Sequence, residues 1–263
     1  MTDRCIFVDV SLYQPNMDWK VLAENGVTGA ILKASSGSYR KDALFLQHAS
    51  AAHSAGMVLG AYHWCDPTNN AITQAQNFLS AVKGQPVSFL AVDMEQFWAS
   101  WVEYFERDIT TLLSGEEISD NAYGVASYLR KNSGLPVIVY TRASFVADRA
   151  PQAAAWLPNF PLWLAYYPYS RVRISATWEE LREKYLPVPL GPLLPKNCTR
   201  WAFWQFSGDK FRMEGAGGSL LDLNFFNGDR KALEKFINTG LPPVIVPPQP
   251  ALPRRARTLA NLN

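Results

Sequence analysis

Asp93 and Glu95, two carboxylates separated by one residue at the end of an apolar run, are the side chains in this sequence best placed to do chemistry. The run Phe89-Leu-Ala-Val-Asp-Met-Glu95 has the character of a strand buried on both faces. Side chains alternate along a strand, so the two acids project from one side, about 6.6 Å apart along it. Two unpaired carboxylates inside a sheet core would carry a large desolvation penalty. They belong where the strand leaves the sheet, beside the aromatic pair Phe97-Trp98. Two acids so spaced suit glycosidic bond cleavage, one giving a proton to the leaving oxygen, the other ionised against the oxocarbenium-like charge. The spacing lies at the short edge of the roughly 6.5–9.5 Å inverting range, which leaves the stereochemistry open. The competing reading is a solvated strand-end pair with no chemistry, and the remaining residues decide between the two.

The elements that would carry such a pair recur along the chain. Strand-like runs fall at Ile6–Val10, Gly29–Ala34, Met57–His63, Phe89–Glu95, Pro136–Tyr140, Leu162–Tyr166, Trp201–Phe206 and Leu220–Phe226. Helical stretches lie between them: Asp18–Glu24 with Asp18 as N-cap, Ala43–Ala55, Gln74–Val82, and Phe97–Asn132 with a break near Ser114-Gly115. A weaker one covers Phe145–Ala154, a capping box opens one at Thr177-Trp-Glu-Glu180, and a last helix spans Gly228–Asn238. Helix, glycine stop and strand form half of a parallel βαβ unit. The fold class expected is therefore α/β, a modified TIM-like barrel of eight strands with reduced helices in the last units. An open doubly wound sheet is the runner-up, but the first strand is followed by Ser-Leu-Tyr-Gln-Pro15, with no glycine-rich phosphate loop. Residues 1–240 form the expected catalytic barrel. Residues 241–263, with six prolines and no period, read as a linker or tail.

Composition narrows the partners. A net charge of +2 with 18% charged residues gives no field for nucleic acid. No apolar run approaches membrane-spanning length, and Met-Thr-Asp-Arg-Cys carries no charged and apolar leader. Cys5, Cys65 and Cys198, odd in number and far apart, are expected as buried free thiols. His48 and His53 are five apart, off one helical face, and read as packing or surface residues. His63 neighbours Tyr62 but points the opposite way. The absence of His-Glu-x-x-His or paired cysteines argues against a zinc amidase. No metal and no cofactor are expected, and the chain is expected to be a monomer. Trp98, Trp101, Tyr104 and Phe105 read as a helical packing stripe rather than a sugar platform.

In a parallel barrel the reacting groups come from the carboxyl ends of several strands. Those ends supply Asp9, Lys33, Ser35, Tyr62, Asp93, Glu95, Tyr140, Trp163, Tyr166, Tyr167, Gln205, Asp222 and Asn224. Four carboxylates around one rim are hard to explain as structural acids alone. Lys33, Tyr62, Tyr140, Trp163, Tyr166 and Gln205 are the candidates to bind substrate, with the aromatics near Trp163 best suited to stack on a sugar. A barrel that only bound glycan would need the aromatics but not the four acids.

These residues resemble the glycoside hydrolase family 25 muramidases, the Chalaropsis-type lysozymes. The matching pieces are Val8-Asp-Val-Ser11, Asp18-Trp19, Ile31-Leu-Lys-Ala34, Gly60-Ala-Tyr-His63, Asp93-x-Glu95, Tyr140-Thr141, Leu162-Trp-Leu-Ala165, Trp204-Gln-Phe206, Asp222-Leu-Asn224 and Phe226-Asn-Gly228. The resemblance runs from about residue 4 to 237. It implies a modified eight-stranded barrel that cuts the β-1,4 bond between N-acetylmuramic acid and N-acetylglucosamine in peptidoglycan. By position it makes Glu95 the general acid, Asp93 its partner, Asp9 and Asp222 flanking site acids, and Tyr62 the site tyrosine. It also implies that the substrate's own 2-acetamido oxygen is the nucleophile. The chain departs from the family at Leu12-Tyr13, usually His-Trp, and at Ser35-Ser-Gly37, usually Thr-Glu-Gly. Wall-lytic chemistry without an export leader implies a phage endolysin released from the host cytoplasm, or a bacterial enzyme exported by a non-Sec route.

Overall fold

A computed structural model of the chain describes residues 4–98, 107–168, 174–175, 177–184 and 191–242. The strands are β1 (Ile6–Val10), β2 (Val27–Ser36), β3 (Arg40–Lys41), β4 (Val58–Trp64), β5 (Phe89–Asp93), β6 (Val137–Thr141), β7 (Leu162–Ala165), β8 (Ile174–Ser175), β9 (Phe203–Arg212) and β10 (Leu220–Phe226). The helices are α1 (Trp19–Glu24), α2 (Phe45–Ser54), α3 (Ala71–Val82), α4 (Gly115–Asn132), α5 (Ala143–Arg149), α6 (Trp178–Lys184) and α7 (Arg230–Thr239). Eight strands close into a barrel in the order β1, β2, β4, β5, β6, β7, β9, β10 and back to β1. β3 is a short ribbon on β2, and β8 pairs with the far end of β9.

The expected modified eight-stranded barrel is present, and it is mixed rather than purely parallel. β10 runs antiparallel to both neighbours, β1 and β9, while the other seam pairs are parallel. The cause lies in the connection: Ser207–Ser219 has no helix, and a parallel neighbour needs a crossover of a dozen residues or more. β9 and β10 instead form a hairpin, so Asp222 and Asn224 reach the catalytic rim from the early part of β10.

Each of the eight barrel strands packs on both faces. Outward residues such as Val8, Leu32, Leu90, Val92, Val139 and Leu164 meet Leu22, Phe45, Phe78, Val125 and Leu129 of the surrounding helices. Inward residues close the floor of the barrel: Phe7, Phe89, Phe203 and Phe226 pack together, and α7 inserts Leu233 and Phe236 beneath them. Gly29 and Gly60 make room for this plug. A Cβ on Gly60 would lie 2.3 Å from the Phe89 ring, and one on Gly29 2.3 Å from the Phe7 ring.

Local signals account for most helix limits. Asp18 caps α1, accepting from Val21 N–H at 3.1 Å, and the Thr177–Glu180 box closes reciprocally at 2.9 and 3.1 Å. Gly56 and Gly134 stop α2 and α4 with φ of +78° and +70°, a backbone few other residues adopt. Of the helix expected over Phe97–Asn132, residues 99–106 lie outside the described residues. Residues 96–98 are irregular, Ile109–Thr111 forms a 3-10 turn, and α4 starts at Gly115 under a Ser114–Glu117 capping box. Trp101, Tyr104 and Phe105 lie outside the described residues. The stretch Phe145–Ala154 is α5 followed by a 3-10 turn started by Pro151. Cys5, Cys65 and Cys198 are free and buried.

Candidate active site

The upper half of the barrel interior is polar. Asp9, next to last in β1, faces Asp222 across the antiparallel seam. Its carboxylate is held from two sides. Asn224 Nδ2 donates to Asp9 Oδ2 at 2.7 Å, and Gln205 Nε2 donates to both oxygens at 3.2 and 3.0 Å. Each amide is oriented in turn. Trp163 Nε1 donates to Asn224 Oδ1 at 2.7 Å, while the Tyr140 and Tyr167 hydroxyls donate to Gln205 Oε1 at 2.9 and 2.6 Å. Burial pushes Asp9 up to about 6 despite these donors, with Asp209 adding to the rise.

Asp93 is the last residue of β5, and Glu95 follows in a bend rather than within the strand, a correction to the expected Phe89–Glu95 strand. Backbone and side-chain bonds fix the bend: Met94 N–H to Tyr140 O at 2.9 Å, Cys65 N–H to Asp93 O at 3.0 Å, and Trp64 Nε1 to Gln96 O at 3.0 Å. Met94 points outward into the helix layer, so the acids on either side of it still share the interior. Asp93 is 4% exposed and its Oδ1 has no partner among the described residues; Glu95 is the more open of the two. Burial raises Glu95 to about 7, against the pull of Arg142 and Lys33 and with help from Asp9 and Asp108. Burial and then the Glu95 charge raise Asp93 well above the usual carboxylate range, opposed by Lys33 and Arg142. Burial thus disfavours charge on both members of the pair, and the Lys33 and Arg142 charges oppose it.

Lys33 lies 4.3 Å from the centre of the Trp64 ring, between the acid pair and Asp42, and burial lowers its pKa. Tyr62 faces Asp9, Asp93 and Asp222, its ring edge-on to Trp163 at 6.0 Å. Trp163, 2% exposed, has its indole N–H committed to Asn224 and its ring against Tyr140 at 4.6 Å. It is a wall of the site, with no open face for a sugar. Strand alternation separates the two tyrosines that follow: Tyr166 packs in the outer helix layer, and Tyr167, 50% exposed, leans over the site. His63 lies outside the barrel wall between Ser35 and Gln74 at 2.8 and 3.3 Å, and burial lowers it to about 4. His48 is buried against Trp19 and His53 is exposed. Among the described residues, no three His, Cys, Asp or Glu side chains are grouped to hold a metal ion.

Sequence reasoning missed Arg142, Asp108 and Asp209, charged residues whose fields reach the acids. The register contained a signal for Arg142. Asp93 pairs with Tyr140 at the ends of adjacent strands, and Glu95 and Arg142 each follow two residues later.

Four acids around one mouth of a barrel closed by an antiparallel last strand coincide with a family match. The profile of glycosyl hydrolases family 25 covers residues 8–215. The chain belongs to that family. It is 28% identical over 238 residues to an uncharacterized protein, YegX, of Escherichia coli O157:H7, covering 88% of this chain and 72% of that one. It is also 28% identical over 172 residues to the autolytic lysozyme of Clostridium acetobutylicum, covering 65% of this chain and 48% of the lysozyme. Among solved structures, the bacterial lysozyme from Streptomyces coelicolor superposes with a TM-score of 0.73 at 23% identity, covering 92% of this chain and all of that one. The family 25 barrel is thus the fold of this protein, and the Asp93/Glu95 pair sits at the mouth where its strands deliver it.

Proposed function

We propose that Glu95 and Asp93 carry the reaction of this glycoside hydrolase, a muramidase that cleaves the β-1,4 bond between N-acetylmuramic acid and N-acetylglucosamine in peptidoglycan. The observation that carries the assignment is the enclosed pair itself, one carboxyl partly open at about 7 and the other buried with an unpartnered oxygen. The open carboxyl is suited to protonate the glycosidic oxygen as the bond to the anomeric carbon breaks. The enclosed one is suited to orient the 2-acetamido group, whose oxygen forms the new bond to that carbon. Water, losing a proton to the Glu95 carboxylate, then attacks the same carbon as its bond to the acetamido oxygen breaks, which frees the acetamido group and restores the acid. Asp9 and Asp222 keep the facing wall acidic, and Tyr62 stands between the two acid groups. Tyr167 is the aromatic with an exposed face for the glycan.

We further propose that the protein acts as a monomer at the bacterial wall, delivered as a phage endolysin. Turbidity loss of purified walls tests the reaction and the residue together. Wild type should clear the suspension and release new reducing ends at muramic acid, and Glu95→Gln should not. Clearing by a well-folded Glu95→Gln variant would remove Glu95 from its role.

A further inference from the structure

β9 does not pair evenly with β10. Leu221 faces Phe211 and Leu223 faces Ser207, so three β9 residues, Gly208, Asp209 and Lys210, lie opposite the single residue Asp222. Such a bulge re-aims side chains and strengthens local twist. Within it Asp209 has φ of +46°, a left-handed backbone rare for a residue with a side chain, although Asp tolerates it better than most. That conformation turns the Asp209 N–H onto Asp222 Oδ1 at 2.6 Å. The neighbouring position serves a second contact. A Cβ on Gly208 would lie 2.8 Å from the Tyr167 hydroxyl oxygen, so the absent side chain lets Tyr167 reach Gln205 at 2.6 Å.

We propose that the Gly208-Asp209 bulge is a positioning device of the active site, in which the left-handed Asp209 backbone aims Asp222 into the mouth and Gly208 seats Tyr167 on the residue that holds Asp9. Asp209 acts through its backbone N–H and does not touch the substrate. This rests on the muramidase reading for its kinetic consequence, whereas the aim of Asp222 is a property of the folded protein alone. The groups facing Asp222 are Asp9 from β1, Glu95 after β5, Asp209 from β9, and the Tyr62 and Tyr167 hydroxyls.

The test compares Asp209→Gly with Asp209→Pro. Both remove the carboxylate, but glycine keeps the left-handed backbone and the N–H, while proline removes the donor and holds φ near −65°. Carbon-13 titration of the Asp222 carboxyl should place its midpoint higher in Asp209→Pro than in Asp209→Gly. Wall-hydrolysis kcat should be at least about tenfold lower in the proline variant. Adding Asp222→Asn should cost the glycine variant much activity and the proline variant little, since the same interaction is already lost. If the proline variant does not fold, the Asp209 amide proton decides: it should exchange slowly in wild type and fast in Asp222→Ala. Equal Asp222 midpoints and turnover in the glycine and proline variants, or an Asp209 amide indifferent to Asp222, would overturn the proposal. Inactive wild type with the expected titration difference would sink the muramidase reading and leave the positioning intact.

Discussion

The floor and the mouth of this barrel are built from the same strands one or two pleats apart, yet they follow opposite rules. A single residue separates Phe7 from Asp9 on β1, Ala91 from Asp93 on β5, Ile138 from Tyr140 on β6 and Phe203 from Gln205 on β9. Below, phenylalanine rings and α7 exclude water, and close packing does the work. Above, every amide in the Asp9 network is oriented by another donor, and burial raises the pKa of each acid. One barrel can thus be rigid at one end and electrostatically strained at the other. The rigid floor is what keeps the strained mouth in place.

Glu95→Gln should break the contrast most sharply. Wall hydrolysis should fall at least about a hundredfold because the shape stays and the transferable proton goes. Stability should move the other way. Burial lifts Glu95 from 4.5 to about 7. Between those pH values the folded chain binds a proton that the unfolded chain has released, so this contribution is full below the lower value and lost as pH rises through the upper. Removing the ionisable group should therefore raise the melting temperature at pH 8, by up to about 3 kcal/mol of stability, and leave it unchanged at pH 4. A lower melting temperature at pH 8 would mean that the mouth is not strained.

Gly60→Ala attacks the floor. Its Cβ meets the Phe89 ring at 2.3 Å, and overpacking should cost about 2 kcal/mol or more of unfolding free energy. Denaturant melts should register it, while the pH midpoints of the remaining activity stay put. A shift of those midpoints would show that the two halves are electrostatically coupled through packing.

A smaller effect is expected at Arg142. Its positive charge draws Glu95 downward, so Arg142→Gln should raise the Glu95 pKa and move the alkaline limb of the rate profile to higher pH by roughly half a unit. An unmoved limb would leave burial alone in control. The smallest effect is expected from removing residues 241–263, of which 243–263 lie outside the described residues. The proposed boundary predicts unchanged melting temperature and unchanged turnover on soluble glycan, with any loss confined to intact walls at low salt.

Much of this was legible in the residues. Doubly apolar runs located all eight barrel strands, and the acids of the mouth stand out because carboxylates do not otherwise interrupt such runs. What the chain hides is direction and company. β10 carries the same apolar pattern whichever way it runs, and its direction emerges only from the strand register. Trp163 and Tyr167 look alike as aromatics near a strand end, but one is consumed by Asn224 and the other is half open. Alternation puts both on the inner side, and no composition rule says which will be covered. Asp209 could not be found at all without the bulge, since its contribution is a backbone angle.

The seam between the first and last strands sets a schedule. Asp9 meets Asn224 across 215 residues of chain, and Gln205 across 196. Contacts that distant close late, because the loop entropy is spent before they return anything. Synthesis delivers β10 after every other barrel strand, at about 5–20 residues per second. Until it docks, the seam is open, Asp9 lacks its Asn224 donor, and Asp222 is absent from the mouth. A stalled or clipped chain is therefore a silent one, and competence to cut a wall arrives in a single step with the completed fold.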